Sequence, residues 1–145
     1  MSEHAEVTVE KLVHGGAGLA RLASGQAVFI PRVLPGERVV ISIRKKRKGV
    51  FEADLVNVVT PSRDRITPPC NGEIECTGAT WPHIAYPAQL KYKQEVLLDT
   101  LKKIGGIEPR QGLPILPSPD TSHYRLRTQF NVRMKDGRQQ IGFFR

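Results

Sequence analysis

The sequence predicts a mainly β chain with one long helix, an α+β protein in which a five-stranded barrel is followed by a partial β-rich region. Three observations predict it. Residues 5 to 60 break into short alternating runs with glycine and proline at the corners. One stretch, beginning at Tyr86, repeats apolar residues at helical spacing. The segment HYRLRTQFNVRMK alternates strictly and then passes through Asp136-Gly137 into RQQIGFFR, which reads as a hairpin.

The first run, AEVTVEKLVHG, alternates through Val7 and Val9, loses its phase near Lys11 and ends at Gly15 and Gly16. This predicts a strand with a bulge and then a tight turn. A short GLARL strand follows. Ser24-Gly25 turns the chain into QAVFIP, where Pro31 closes the strand, and Pro35-Gly36 turns it into ERVVISIRKKRKG. There Val39, Ile41 and Ile43 share one face, while the basic run Arg44 to Lys48 continues past the strand into a turn at Gly49. The return strand FEADLVNVV sets Phe51, Ala53 and Leu55 on one face and Glu52 and Asp54 on the other. Short strands with glycines at their corners suit a closed or nearly closed barrel, because closure removes exposed edges.

Residues 86 to 104 form the helix. Pro87 suits its first turn, Leu90, Leu97, Leu101 and Ile104 recur at helical spacing, Lys102 and Lys103 favour its C-terminal end, and Gly105-Gly106 stops it. After a proline-rich connector, Tyr124, Leu126, Thr128, Phe130, Val132 and Met134 take one face of the last segment. Arg125, Arg127, Gln129, Asn131, Arg133 and Lys135 take the other.

Charge narrows the function. Lys and Arg number 22 against 14 Asp and Glu, a net charge of +8, so a polyanionic partner is the first expectation. Residues 1 to 60 carry 9 basic and 6 acidic side chains, and 5 of the 9 are the run Arg44, Lys45, Lys46, Arg47 and Lys48. A solvated loop is the ordinary reading of a charge run, but such concentration favours a hairpin that tracks RNA phosphates. The polar face bearing Arg125, Arg127 and Arg133 has no acid among its six positions and is a second candidate backbone contact. Phe29 and Phe51 lie in apolar strands and belong to the core rather than to a stacking platform.

The first residues lack the pattern of a signal peptide, and no apolar stretch approaches bilayer length, so no membrane partner and a cytoplasmic location are expected. In a reducing compartment the two cysteines read as free thiols or remains of a metal site rather than a disulfide.

A glutamate-rich first strand, then HGGAGLAR, VFIP, LPGERV, a basic turn and a last strand running into NVVTPS resemble, in that order, the TRAM domain. The resemblance implies an OB-like barrel over residues 1–60, of a kind attached to RNA-modifying enzymes. Gly15, Gly16 and Gly18 serve either simple turns or the close approach of another backbone or a phosphate.

Beyond the barrel, three prolines within residues 61–69 mark a linker, and residues 70–145 read as an incomplete central domain. Cys70, five residues, Cys76, Thr77, Gly78 and Ala79, followed by WPHIAYPAQLKYK, resemble the C-x5-C-G-G-C segment and helix opening of the RNA uracil-5-methyltransferase family. YRLRTQF followed by Gly142-Phe143 resembles the start of that family's central domain. The resemblance, of the 23S rRNA uracil-5-methyltransferase type, implies methylation of uracil C5 with S-adenosylmethionine, through a cysteine nucleophile and a carboxylate base in a C-terminal Rossmann-like domain.

The departures set the expectations. Ala79 stands at a cluster-ligand position, and two thiolates cannot hold a 4Fe-4S cluster in one chain, so Cys70 and Cys76 are degenerate positions and no metal or cofactor is expected. His83 is read as a structural or RNA-facing residue in preference to a ligand beside Cys76. No strand, glycine-rich turn and helix of the Rossmann kind is present, so no catalytic residue is assigned and the chain alone is predicted inactive. The expected function is the RNA-binding N-terminal portion of an rRNA or tRNA uracil C5-methyltransferase, with S-adenosylmethionine bound only by a separate catalytic domain. A stand-alone OB-like RNA-binding or translation-associated protein, or half of a split methyltransferase, are the alternatives.

Overall fold

The bulge near Lys11 is present, and it decides how the chain is built. In the computed structural model, which describes residues 3–47, 49–68, 79–108, 114–121 and 124–143, the side chains of Lys45 and Arg47 also lie outside the description. Strand β1 (His4–Leu12) pairs with β4 (Arg38–Arg47) over its first half and with β2 (Gly18–Arg21) over its second. The register shifts between Val9 and Lys11. Val7 and Val9 therefore point into the barrel, while Leu12 is turned to pack on its far side.

With β3 (Ala27–Ile30) and β5 (Val50–Thr60) the strands close in the order β1-β2-β3-β5-β4, the five-stranded barrel expected from the sequence. All pairings are antiparallel except β3 with β5. The core is small and branched: Val28, Ile30, Val33, Val39 and Ile41 are each 0% exposed. Ala53 is buried in this core and Phe51 and Leu55 pack against the core half-buried, on the face their alternation predicts. A second register shift sets Val40 opposite Asn57 but Ile41 opposite Leu55, which extrudes Val56 and lets Val58 rejoin the core. Gly18 is needed for packing, since a Cβ there would collide with the Val33 side chain and crowd Val9 Cγ1 at 3.0 Å.

Helix α1 (Tyr86–Lys103) has the expected bounds to within a residue but buries a different face. Ala88 and Tyr92 are buried and Val96 is packed behind them, at i, i+4 and i+8, whereas Leu97 and Ile104 of the expected stripe are 54% and 82% exposed. The helix rests on the barrel along the Ala88, Tyr92 and Val96 face, which turns Leu97 outward. Leu12, Leu34, Ile84, Ala88 and Tyr92 make this second core. Further along, Asp99 accepts from Lys11 Nζ at 2.8 Å and meets Lys103 Nζ at 3.1 Å, tying the helix to β1.

The C-terminal hairpin is shorter than the alternation suggests. Strand β6 (Asn131–Lys135) pairs in register with β7 (Arg138–Gly142) through a turn in which Asp136 and Gly137 both have positive φ, at 51° and 71°. Residues 124 to 130 are not strand, because the five residues of β7 are matched entirely by Asn131–Lys135. Phe130 and Phe143 meet with ring centroids 5.2 Å apart, and Val132, Met134 and Ile141 are exposed on the same ribbon.

Candidate nucleic-acid interface

The basic run lies in the β4–β5 hairpin, and more of it is strand than the sequence suggests. Pairing continues through Lys45 with Glu52, Lys46 with Phe51 and Arg47 with Val50, so the strand carries the cations to the turn instead of ending before them. Gly49, at φ 83°, takes the left-handed backbone that the turn needs. Lys48 lies outside the described residues. The β4–β5 register shifts again between Ile43 and Lys45, which makes Arg44 the bulged residue. Its guanidinium reaches Asp54 at 3.6 Å and Glu52 at 3.8 Å, both on β5. Lys46 is exposed, with Nζ 5.4 Å from the centroid of the Phe51 ring.

The second basic group is dispersed. Arg125 and Arg127 are exposed in the non-strand residues before β6, and Arg133, on β6, places Nε 3.4 Å from Gln140 Oε1. β6 pairs with β7 alone, so the two groups do not share a sheet.

Gly16 and His83, read as possible ligand contacts, are covered by other parts of the same molecule. Gly16, at φ 88°, has its α-carbon face covered by Thr80 and Trp81, and Trp81 Nε1 donates to the Gly16 carbonyl at 2.9 Å. The close approach at this turn is thus made by a side chain of the same molecule. His83 is 3% exposed, so its ring is enclosed rather than presented to RNA. Cys70 and Cys76 lie outside the described residues.

The seam around His83 is the feature that sequence reasoning missed. Pro35 and Gly36 form the turn that returns Glu37 N–H toward the Leu34 carbonyl at 3.2 Å and brings the Glu37 carboxylate inside, where it is 0% exposed. It accepts from Leu34 N at 2.9 Å, Ser62 N at 3.1 Å, and Arg65 Nε and Nη2 at 2.6 and 2.7 Å. Burial alone would raise this carboxyl, but the Arg65 guanidinium and the two backbone N–H groups more than offset it and hold the group below its usual range. Arg65 Nη2 also donates to the Arg32 carbonyl at 2.9 Å, and Arg65 forms a β-bridge with Ile84.

Residues 62–66, in the proline-rich stretch, are therefore bonded to the barrel on one side and to 83–85 on the other. Ile66 N donates to the His83 carbonyl at 3.0 Å and Ala85 N to the Asp64 carbonyl at 2.9 Å. The His83 imidazole sits in this seam with no hydrogen-bond partner of acceptable geometry among the described residues. Burial, then the charge of Arg65, lower its pKa to about 4, against a small opposing pull from the nearby Val33 backbone. Neither composition nor spacing marks the seam: its acid follows an ordinary Pro-Gly turn and its arginine lies in a stretch suited to a linker.

Comparison with known proteins agrees with this architecture. Residues 3–56 match the TRAM domain. The chain is 37% identical over 139 residues to an uncharacterized RNA methyltransferase of Halalkalibacterium halodurans, covering 96% of this chain and 30% of that protein. It is 36% identical over 138 residues to the 23S rRNA (uracil(1939)-C(5))-methyltransferase RlmD of Alcanivorax borkumensis, covering 94% of this chain and 31% of that enzyme. A third relative, an uncharacterized RNA methyltransferase of Bdellovibrio bacteriovorus, is 38% identical, with 96% and 34% covered. The chain thus spans about a third of the length of these relatives. It carries a TRAM domain and is homologous to the N-terminal part of RNA uracil-5-methyltransferases.

Proposed function

We propose that these residues are the RNA-binding N-terminal portion of an S-adenosylmethionine-dependent uracil C5-methyltransferase that acts on rRNA or tRNA in the cytoplasm. The observation that carries the reading is the β4–β5 hairpin, which concentrates consecutive cations at one end of a barrel of the TRAM type. Among the described residues no helix is long and apolar enough to cross a membrane.

The hairpin's role is electrostatic. Each phosphate met by a lysine or arginine releases condensed counterions, which gives affinity without base specificity. Methyl transfer is assigned to the part of the relatives that this alignment does not cover, since no parallel βαβ unit of the Rossmann kind occurs among the described residues. The family's four-cysteine cluster does not fit these residues either. They hold two cysteines, and Ala79 has no thiolate to offer.

Binding of single-stranded RNA at several salt concentrations tests the reading. Contacts from the whole run would give a log–log slope of at most roughly 3 to 4 in magnitude, at about 0.7 per phosphate on a single strand. Replacing Arg44, Lys45, Lys46, Arg47 and Lys48 by serine is expected to flatten that slope. An unchanged slope would remove the hairpin from the interface.

A further inference from the structure

The cations of the hairpin are not equivalent. Arg44 occupies the bulge of β4, and there its guanidinium lies against both carboxylates of the facing strand, 3.6 Å from Asp54 and 3.8 Å from Glu52. An extra residue in one strand re-aims its side chain, which is how one arginine comes to span two carboxylates that sit two positions apart on β5. Resting on the RNA-binding reading above, we infer that Glu52 and Asp54 act as internal stand-ins for phosphate, occupying Arg44 in the free protein and withholding it from the RNA backbone. Arg44 is then a positioning residue of the hairpin, and the carboxylates set how tightly the hairpin binds.

Three features carry this. The acids lie within the basic hairpin itself, on the strand that its cations pair with. An oxygen of a carboxylate and an oxygen of a phosphate compete for the same planar donor fork, so Arg44 cannot serve both fully. Magnitude makes the competition finely balanced. Arg44 is 61% exposed and its partners 43% and 45%, at separations longer than a hydrogen bond, so the pairing is weak and screened by salt. It restrains Arg44 without locking it.

The test is a double-mutant cycle on the 145-residue chain, with a short single-stranded oligouridine as probe and fluorescence anisotropy as readout. In the wild-type background, Arg44→Gln is expected to weaken binding by less than about twofold. Replacing both acids with amides, Glu52→Gln with Asp54→Asn, is expected to tighten binding about fivefold at low salt and to steepen the salt slope by up to about 0.7, one phosphate contact. In that second background Arg44→Gln should remove most of the gain.

An equal cost of Arg44→Gln in both backgrounds would overturn the inference. The acids would then act as distant repulsive charges and nothing more. If the wild-type chain showed no salt-dependent RNA binding at all, the proposed function would fail and this inference with it. The two failures are distinguished by the wild-type salt slope alone. Glu52→Gln and Asp54→Asn are isosteric and Arg44→Gln shortens an exposed side chain, so the fold is expected to be kept, and a coincident thermal unfolding curve verifies this.

Discussion

Replacing Arg65 by methionine is expected to cost about 3–5 kcal/mol of stability, the largest effect of any single change considered for this protein. Arg65 supplies two of the four hydrogen bonds to the Glu37 carboxylate, which is 0% exposed. Without the guanidinium, two backbone N–H groups remain to hold a buried negative charge. The reciprocal change, Glu37→Gln, should cost less, because Arg65 is 21% exposed and its side chain can turn its charge toward solvent.

The pH dependence gives a second handle. With Arg65 gone the Glu37 carboxyl loses the main influence that holds it down, so burial raises it, the folded state gains the proton, and Arg65→Met should recover stability as pH falls through the carboxylate range. In the wild type the carboxyl is lowered, so its contribution is present above its ordinary value of 4.5 and is lost as pH falls below it. Urea titrations of both variants between pH 7 and pH 4 measure the order and the sign. Equal costs, or a wild-type-like pH profile for Arg65→Met, would mean that the ion pair does not hold the seam.

The second large effect is also a pH effect, carried by a histidine. His83 has an ordinary pKa of 6.5 and a folded value of about 4, so above pH 6.5 both states are neutral and it contributes no slope. As pH falls from 6.5 to 4 the unfolded chain takes up a proton that the folded chain refuses. The native state should therefore lose about 3 kcal/mol across this interval and no more below it. The groups facing the imidazole are Arg65 and Arg32, which oppose protonation after burial itself, and Glu37, which favours it weakly. Subtracting the profile of His83→Leu from that of the wild type isolates the term, since the other carboxylates titrate in both. The difference should change through the window and become constant above it. A flat difference would show that the imidazole takes a proton without penalty and is not enclosed as described.

What the sequence made legible follows from period and punctuation. The barrel strands could be placed because Val7, Val9, Val39 and Ile41 alternate and because Gly25, Gly36 and Gly49 sit where the chain turns with positive φ, between 80° and 83°. Even the β1 bulge was visible as a lost phase at Lys11. The seam was not, because it is built from isolated residues with no period. Arg65 looks like any arginine beside prolines, and Glu37 like any turn acid, until Ser62 N and Leu34 N are found converging on the same carboxylate. Residues 61–69 read as a linker for the same reason. Local composition reports stiffness but not what a stiff segment leans on, and a piece ending at residue 60 would leave Leu12 and Leu34 without Ile84 and Tyr92.

The helix face was misjudged by a related route. Leucines at helical spacing identify an apolar stripe, but the face that meets Leu12 and Leu34 of the barrel is the one bearing Ala88 and Tyr92. In the candidate interface, the run of cations was plain in the sequence and its internal division was not. The register that sets Arg44 against Glu52 and Asp54 depends on a bulge that leaves no mark in composition.

The central claim is that RNA meets the β4–β5 hairpin, and residue-resolved NMR of the chain titrated with single-stranded RNA tests it most directly. Amide shifts should concentrate from Arg44 through Glu52, including Gly49, and fade as salt is raised, while Leu34, Ile84 and Tyr92 in the seam stay still. Shifts confined to residues 124–142, with the hairpin unmoved, would contradict the account.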